Sequence, residues 1–204
     1  MATTAAPYGL RPVKRADGLP YAGSTTQYLI DPAGEATNLF TGQVVILGAD
    51  GYIALATASG ADLTTNNLGG SSIGAIGVFV GCEYVNAQGQ LIHSQYYPTG
   101  TVAPTGTAIK AYVIDDPNVL FQVQLDATGA QTVIGTNTTF AAVQSTSTGN
   151  TATGNSTSAM DATVATTAKA FRIVAHVSDP SDAYPDVLVK FNPGAHSFTN
   201  AVGL

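Results

Sequence analysis

The chain's 204 residues are enough to bury a substantial core as one large domain, but only 10% of them are charged, against roughly 25% in an average globular protein. The net charge of −6 is unevenly spread: residues 1–30 carry Arg11, Lys14 and Arg15 against Asp17, while the rest carries four bases against twelve acids, too few cations to line a phosphate backbone and so an argument against nucleic acid as partner. A single cysteine, Cys82, excludes a disulfide framework and a thiolate metal cluster, and without an apolar h-region or a run of about 18 apolar residues the expectation is cytoplasmic synthesis with no membrane partner.

Residues 1–24 contain Pro7, Pro12, Pro20 and three glycines, with no sustained period of 3.6 or 2. They are expected to form an extended amino-terminal arm. Tyr8, Leu10, Val13, Leu19 and Tyr21 are spaced along it as anchors, either for shallow pockets on another molecule or for wrapping the arm on its own body. The remainder, 25–204, reads as a single β domain.

Within that domain TTQYLID (25–31) predicts a strand closed by Asp31-Pro32. Gln43 to Leu47 and Tyr52 to Ala56 flank Gly48-Ala49-Asp50-Gly51, and Asp-Gly between such runs signals a hairpin. Residues 59–72 read as a Gly, Ser and Asn-rich loop. The central element is a hairpin over 73–97. Ile76, Val78, Val80, Cys82 and Tyr84 share one face by the two-residue period of a strand. On the other face Gly77 and Gly81 leave room for a close approach by backbone or an aromatic ring. Asn86-Ala87-Gln88-Gly89 supplies the turn.

A strand from Thr107 to Ile114 is expected to turn at Asp115-Asp116-Pro117-Asn118 and return over 119–125, with Val119, Phe121, Val123 and Leu125 on one face. Residues 135–166, mostly Ser, Thr, Gly, Asn and Ala, form a low-complexity insertion with too little apolar surface to offset its ordering entropy. The expectation is a long loop, mobile or ordered by a neighbouring subunit. Ala170 to Val177 and Val187 to Phe191 read as paired strands around Asp179-Pro180-Ser181-Asp182. The fold class is therefore mainly β, an antiparallel barrel or sandwich with an extended amino-terminal arm and a long Ser/Thr/Gly-rich loop.

Catalytic and cofactor signatures are missing. His93, His176 and His196 lie in separate segments without companions at metal-ligand spacing. Asp115-Asp116 and the group Asp179, Asp182 and Asp186 could suggest paired carboxylates or a calcium loop, but their neighbours Pro117, Pro180 and Pro185 point to turn chemistry. No GxSxG elbow marks a serine nucleophile, and the glycine-rich stretches lack the lysine of a phosphate loop. The expectation is a protein without catalytic activity, metal or cofactor.

The segments APYGLRPVKR, ATNLFTGQVVIL, GVFVGCEY, SQYYP, IDDPN, TGNTATGNS and FRIVAHVSDPSDAYPDVLVKFN together resemble the capsid-decorating, or cement, proteins of tailed bacteriophages that infect cyanobacteria and other marine bacteria. The resemblance implies a mostly β virion protein on the outer face of the capsid, bound to the major capsid protein as a homotrimer with its termini lying on the shell. It implies docking through Tyr8, Arg11, Lys14 and Arg15. The rival expectation is a receptor-binding or carbohydrate-binding module of a fibre, with Tyr96, Tyr97 and Tyr184 as candidate contact aromatics.

Overall fold

A computed structural model describes residues 4–57, 74–145 and 147–201. The loop expected at 59–72 lies outside the described residues. The strands are, in chain order, β1 (Arg11–Arg15), β2 (Thr26–Ile30), β3 (Leu39–Phe40), β4 (Val44–Leu47), β5 (Ile53–Leu55), β6 (Ala75–Val85), β7 (Leu91–Ser94), β8 (Tyr96–Tyr97), β9 (Ile109–Ile114), β10 (Val119–Gln124), β11 (Asn137–Thr138), β12 (Gly149–Asn150), β13 (Asn155–Ser156), β14 (Phe171–His176) and β15 (Asp186–Phe191).

The strands form two main antiparallel sheets. The first runs β1-β10-β15-β14-β11; the second runs β2-β9-β6-β4-β5 with β7 added beside β6. The molecule is thus the mainly β, sandwich-like fold that the strand periods predict. It is not a closed barrel. The second sheet curls until its outer strands β2 and β5 lie alongside each other, but they do not pair.

Two apolar clusters follow from this shape. One lies between the sheets: Val119, Phe121, Val123, Phe171, Val187, Val189 and Phe191 from the first meet Val44, Ile46, Ala75, Val78 and Ile114 from the second. The other fills the curl of the second sheet with Ile30, Val45, Ile53, Leu55, Phe79, Ile109, Ala111 and Val113. Adjacent β4 residues such as Val44 and Val45 serve opposite clusters, so this sheet is buried on both faces. Each fully buried side chain of this size contributes about 1.5–3 kcal/mol. The ribbon of β3 and β8 closes the curl with Leu39 and Tyr97. Although Tyr97 is wholly buried, its hydroxyl donates to Thr101 O (2.9 Å) and accepts from Glu35 N (3.0 Å), so its burial strands no polar atom.

Strand β6 departs from a simple two-residue period. Its pairing with β4 skips Ile76, and its pairing with β9 skips Val80. Each bulge flips the strand by one residue. Ile76 faces the curl, Val78 and Val80 face the intersheet cluster, and Cys82 and Tyr84 face the curl again, so the single continuous face expected for these five residues is corrected to three segments. The glycines make this possible. A Cβ at Gly77 would stand 2.1 Å from Ile114 O, and one at Gly81 would stand 3.0 Å from Ser94 O. The hairpin turn is as expected, with Gly89 at φ +79° and Asn86 Oδ1 accepting from the Gln88 and Gln90 amides.

The turn after β9 forms around Asp116, whose carbonyl accepts from Val119 N (3.2 Å). Strand β10 does not return beside β9, however. It joins the first sheet, because Ile114 and Val119 both belong in the intersheet cluster and the chain must cross between layers to bury them.

The amino-terminal segment follows the second of its two readings and wraps its own body, which corrects the picture of an arm hanging free. Ala6 N donates to Gln124 Oε1 (2.8 Å), Leu10 N donates to Gly42 O (2.9 Å), and Leu10 sits in the intersheet cluster at 1% exposure. Strand β1 then pairs with β10 as the edge of the first sheet. One buried leucine and a ladder of backbone bonds hold the segment despite its prolines, of which Pro12 lies on an edge strand where a missing N–H is tolerated.

The described residues of the low-complexity insertion are likewise tied to the rest of their own chain. Gln144, fully buried, accepts from Val44 N (3.0 Å) and donates to Val44 O (3.2 Å) and Ala56 O (3.0 Å). Gln43 accepts from Phe40 N (2.8 Å) and donates to Thr148 Oγ1 (2.8 Å). Phe140 packs edge-on against Phe171 at 5.4 Å, and Met160 is completely buried. Counting apolar surface alone misses what these amides do for backbone groups that would otherwise be buried unpaired.

Candidate functional site

The four residues implied as docking positions divide on the structure. Along β1, Arg11 lies opposite Gln122 and Lys14 opposite Leu120, both on the outward side of the first sheet, since the neighbouring β10 residues Phe121 and Val119 point inward. Tyr8 joins them. The Arg11 guanidinium lies 4.3 Å from the centre of the Tyr8 ring, a distance at which the ring quadrupole holds a cation. Burial first, and the carboxylate of Asp186 second, keep the Tyr8 phenol well above its usual pKa range. Arg15 is turned away: beyond the bulge at Val13 it pairs with Asp17 (3.2 Å) and Asp116 (3.4 Å) at the end of the strand. Tyr8, Arg11 and Lys14 thus form one group and Arg15 is neutralised outside it.

A second polar constellation, not anticipated from sequence, lies on the second sheet. Glu83 of β6 stands between His93 of β7 and Lys110 of β9 in register. Its carboxylate accepts from Lys110 Nζ (2.8 Å) and Tyr112 Oη (2.8 Å), with His93 Nδ1 at 3.6 Å. The Lys110 hydrogen bond first, then that of Tyr112, lowers the Glu83 pKa, and Glu83 in turn raises those of Lys110 and Tyr112. Beside it a shallow groove of ≈ 280 Å³ is floored by Gly81 and Cys82 and walled by His93, Ser94, Gln95 and Tyr112. The legible signal was one charge in each of two apolar strands, Glu83 and Lys110, which favours a cross-strand pair.

The remaining candidates serve structure. Asp116 Oδ1 and Asp179 Oδ1 accept from the amides two residues on (both 2.8 Å), as turn chemistry requires. Asp115 accepts from the Tyr28 hydroxyl (2.9 Å). Cys82 is buried, and burial raises its thiol pKa to about 12. His196 is fully buried, with its ring against Phe191 and Phe198 and its Nδ1 accepting from Phe198 N (3.2 Å). Burial lowers its pKa to about 4, only partly opposed by Asp115 and Asp116. Tyr97 is core and therefore not an open contact aromatic, while Tyr96 is half-buried and stacks on Phe40 at 5.6 Å. Among the described residues no three His, Cys, Asp or Glu side chains are gathered to hold a metal ion, and no helix is long and apolar enough to cross a membrane.

No family model, curated protein or solved structure matches this chain.

Proposed function

We propose that this protein is a structural virion protein that binds the outer surface of a bacteriophage capsid and stabilises the shell by bridging major capsid subunits, acting as a homotrimer. The observation that carries the reading is the construction of β1. An edge strand, anchored from below by Leu10, holds Tyr8, Arg11 and Lys14 together on an outward sheet face of a sandwich otherwise poor in charge. Burying sheet surface between larger subunits suits such a face. The sequence resemblance supports the same reading. The test is co-sedimentation of the purified protein with empty capsids of the phage that encodes it, together with the thermal disruption of those capsids. Saturable, salt-sensitive binding that raises the disruption temperature is expected; no binding at low salt refutes the proposal.

The groove beside Gly81 favours one alternative, a glycan-binding module. Tyr112 is fixed by its bond to Glu83 and could serve as a stacking wall, with His93 and Gln95 as polar contacts. Retention on a glycan panel, lost in Tyr112→Ala, would transfer the function to that groove.

A further inference from the structure

We infer that the outward face of the first sheet is a docking surface for an acidic protein surface, gripped by Arg11, Lys14, Arg172 and Lys190. The inference deepens the docking reading above and depends on it only for the identity of the partner.

Folding gathers cations that are far apart in sequence. Arg172 of β14 lies directly opposite Lys190 of β15, and both point away from the intersheet cluster, because their neighbours Phe171 and Phe191 point into it. Arg11 and Lys14 occupy the same side on β1, two strands from β15. From β1 to β14 is three strand intervals, roughly 14 Å at about 4.8 Å each. On the strands of this face the four cations meet a single carboxylate, Asp186. The local net charge of +3 contrasts with −6 for the whole chain.

Neutral partners hold three of these cations. Arg172 Nε donates to Asn137 Oδ1 (3.2 Å), Lys190 Nζ donates to Asn118 Oδ1 (3.2 Å), and Arg11 lies on the Tyr8 ring. No carboxylate of a described residue comes within 4.0 Å of any of the four, whereas Arg15 has two and Lys110 has one. Those three are held in place while the charge of all four is left unspent, which is the arrangement that attracts an anionic partner.

The middle of the face sets the kind of anion. Leu120 and Leu188 lie there at 4% and 7% exposure, with Tyr8 close by near Asp186. Both leucines are buried, so what the face offers a partner is discrete Arg and Lys groups beside the Tyr8 ring, and Arg and Tyr are enriched at protein interfaces. A nucleic-acid backbone would need a continuous cationic track. Here the track would be interrupted by Asp186 within the face and by Asp17 and Asp116 around Arg15 at its end.

The experiment measures binding of the full chain to immobilised poly-L-glutamate, to duplex DNA and to phosphatidylserine vesicles across a salt series. Four variants are compared: Arg11→Gln with Lys14→Gln, Arg172→Gln with Lys190→Gln, all four together, and a control of Arg15→Gln with Lys110→Gln. Far-ultraviolet spectra and melting curves check folding, and the two doubles keep the test open if the quadruple variant does not fold. The expected result is salt-sensitive retention on poly-L-glutamate that weakens several-fold in each double and by about tenfold or more in the quadruple variant, while the control stays within about twofold; tenfold corresponds to about 1.4 kcal/mol. Equal retention of wild type and face variants overturns the inference. So does tighter binding to DNA or vesicles than to poly-L-glutamate at equal salt, and so does self-association that the face variants abolish, which would assign the face to contacts between copies. If the face binds poly-L-glutamate but the protein ignores capsids, the capsid reading fails alone. If capsid binding survives the quadruple change, this inference fails alone.

Discussion

Replacing His196 by asparagine isolates a pH dependence that the fold builds in. In the native protein His196 Nδ1 accepts the Phe198 amide proton, so the neutral ring carries its own proton on Nε2. Protonating Nδ1 would oppose that amide donor and charge a fully buried ring between Phe191 and Phe198. The native pKa is accordingly about 4 against an ordinary 6.5. Above pH 6.5 the group is neutral in both the folded and unfolded states and adds no slope. As pH falls from 6.5 to about 4 the unfolded chain takes up a proton that the folded chain refuses, so stability is lost through that window and levels off below it. At 1.36 kcal/mol per pKa unit the loss is about 3 kcal/mol. The His196→Asn amide oxygen can still accept from Phe198 N, but it does not titrate. The variant starts lower by about 1–3 kcal/mol because it leaves a cavity. Carboxylates also destabilise the fold in acid, but they do so equally in both proteins and cancel in the difference. Urea denaturation at a series of pH values should therefore show the wild-type advantage shrinking, then vanishing or reversing, between pH 6.5 and 4. A difference that stays constant across that range would refute the reasoning.

Four further outcomes are expected. Leu10→Ala should lower unfolding free energy by about 2–5 kcal/mol, since Leu10 is a buried member of the intersheet cluster; an unchanged denaturation midpoint would mean that the amino-terminal segment lies free. Gln144→Ala should cost about 2–4 kcal/mol by removing the partner of Val44 N and Ala56 O, while Val44 O keeps its bond from Ala56 N, and hydrogen exchange should speed up at Val44; slow exchange there would refute that anchoring. Gly77→Ala should fail to fold or lose about 4 kcal/mol or more, because its Cβ would collide with Ile114 O, whereas Gly89→Ala, with open space around it and φ +79°, should lose only about 1–2 kcal/mol; equal losses by thermal melting would contradict the bulge geometry. Cys82 should resist thiol reagents at neutral pH until denaturant is added, as burial and a pKa of about 12 dictate; rapid labelling of the folded protein would overturn this.

Local turn chemistry was the most legible layer. Asn86 to Gly89, Gly48 to Gly51 and Asp179 to Asp182 sit where their residue types place them. Strand faces were legible where the two-residue period ran unbroken, as in Val119, Phe121 and Val123. They were not legible in β6, because nothing in AIGVFVGC distinguishes a glycine that permits a bulge from one that merely lacks a side chain. The sheet change after Ile114 was hidden for a related reason. A turn residue fixes the reversal of the chain but not which sheet receives the next strand. In the candidate site, Arg11 and Lys14 stood out as a cluster of charge along the sequence, and the resemblance implied their docking role. Arg172 and Lys190 were not, because their proximity to β1 exists only once β10 and β15 pair. The amides of Gln43, Gln144 and Asn137 were passed over because a Ser/Thr-rich context makes any single polar residue look ordinary.

The cationic face has a competing explanation that the topology can weigh. Charged residues on edge strands also guard a sheet against pairing with another chain, and β1 is an edge, with a bulge at Val13 serving the same end. Protection of that kind accounts for Arg11 and Lys14. It does not account for Lys190, because β15 is the middle strand of five and has no open edge to protect. Nor does solubility require cations there, since on a chain of net charge −6 an acid at position 190 would serve as well. What a lysine at that position adds is a charge of the same sign as Arg172 beside it and Lys14 on β1, held by the Asn118 amide instead of a carboxylate. Like charges set side by side without neutralisation repel one another in the free protein. That repulsion is relieved when an acidic surface covers them, which favours the bound state over the free one.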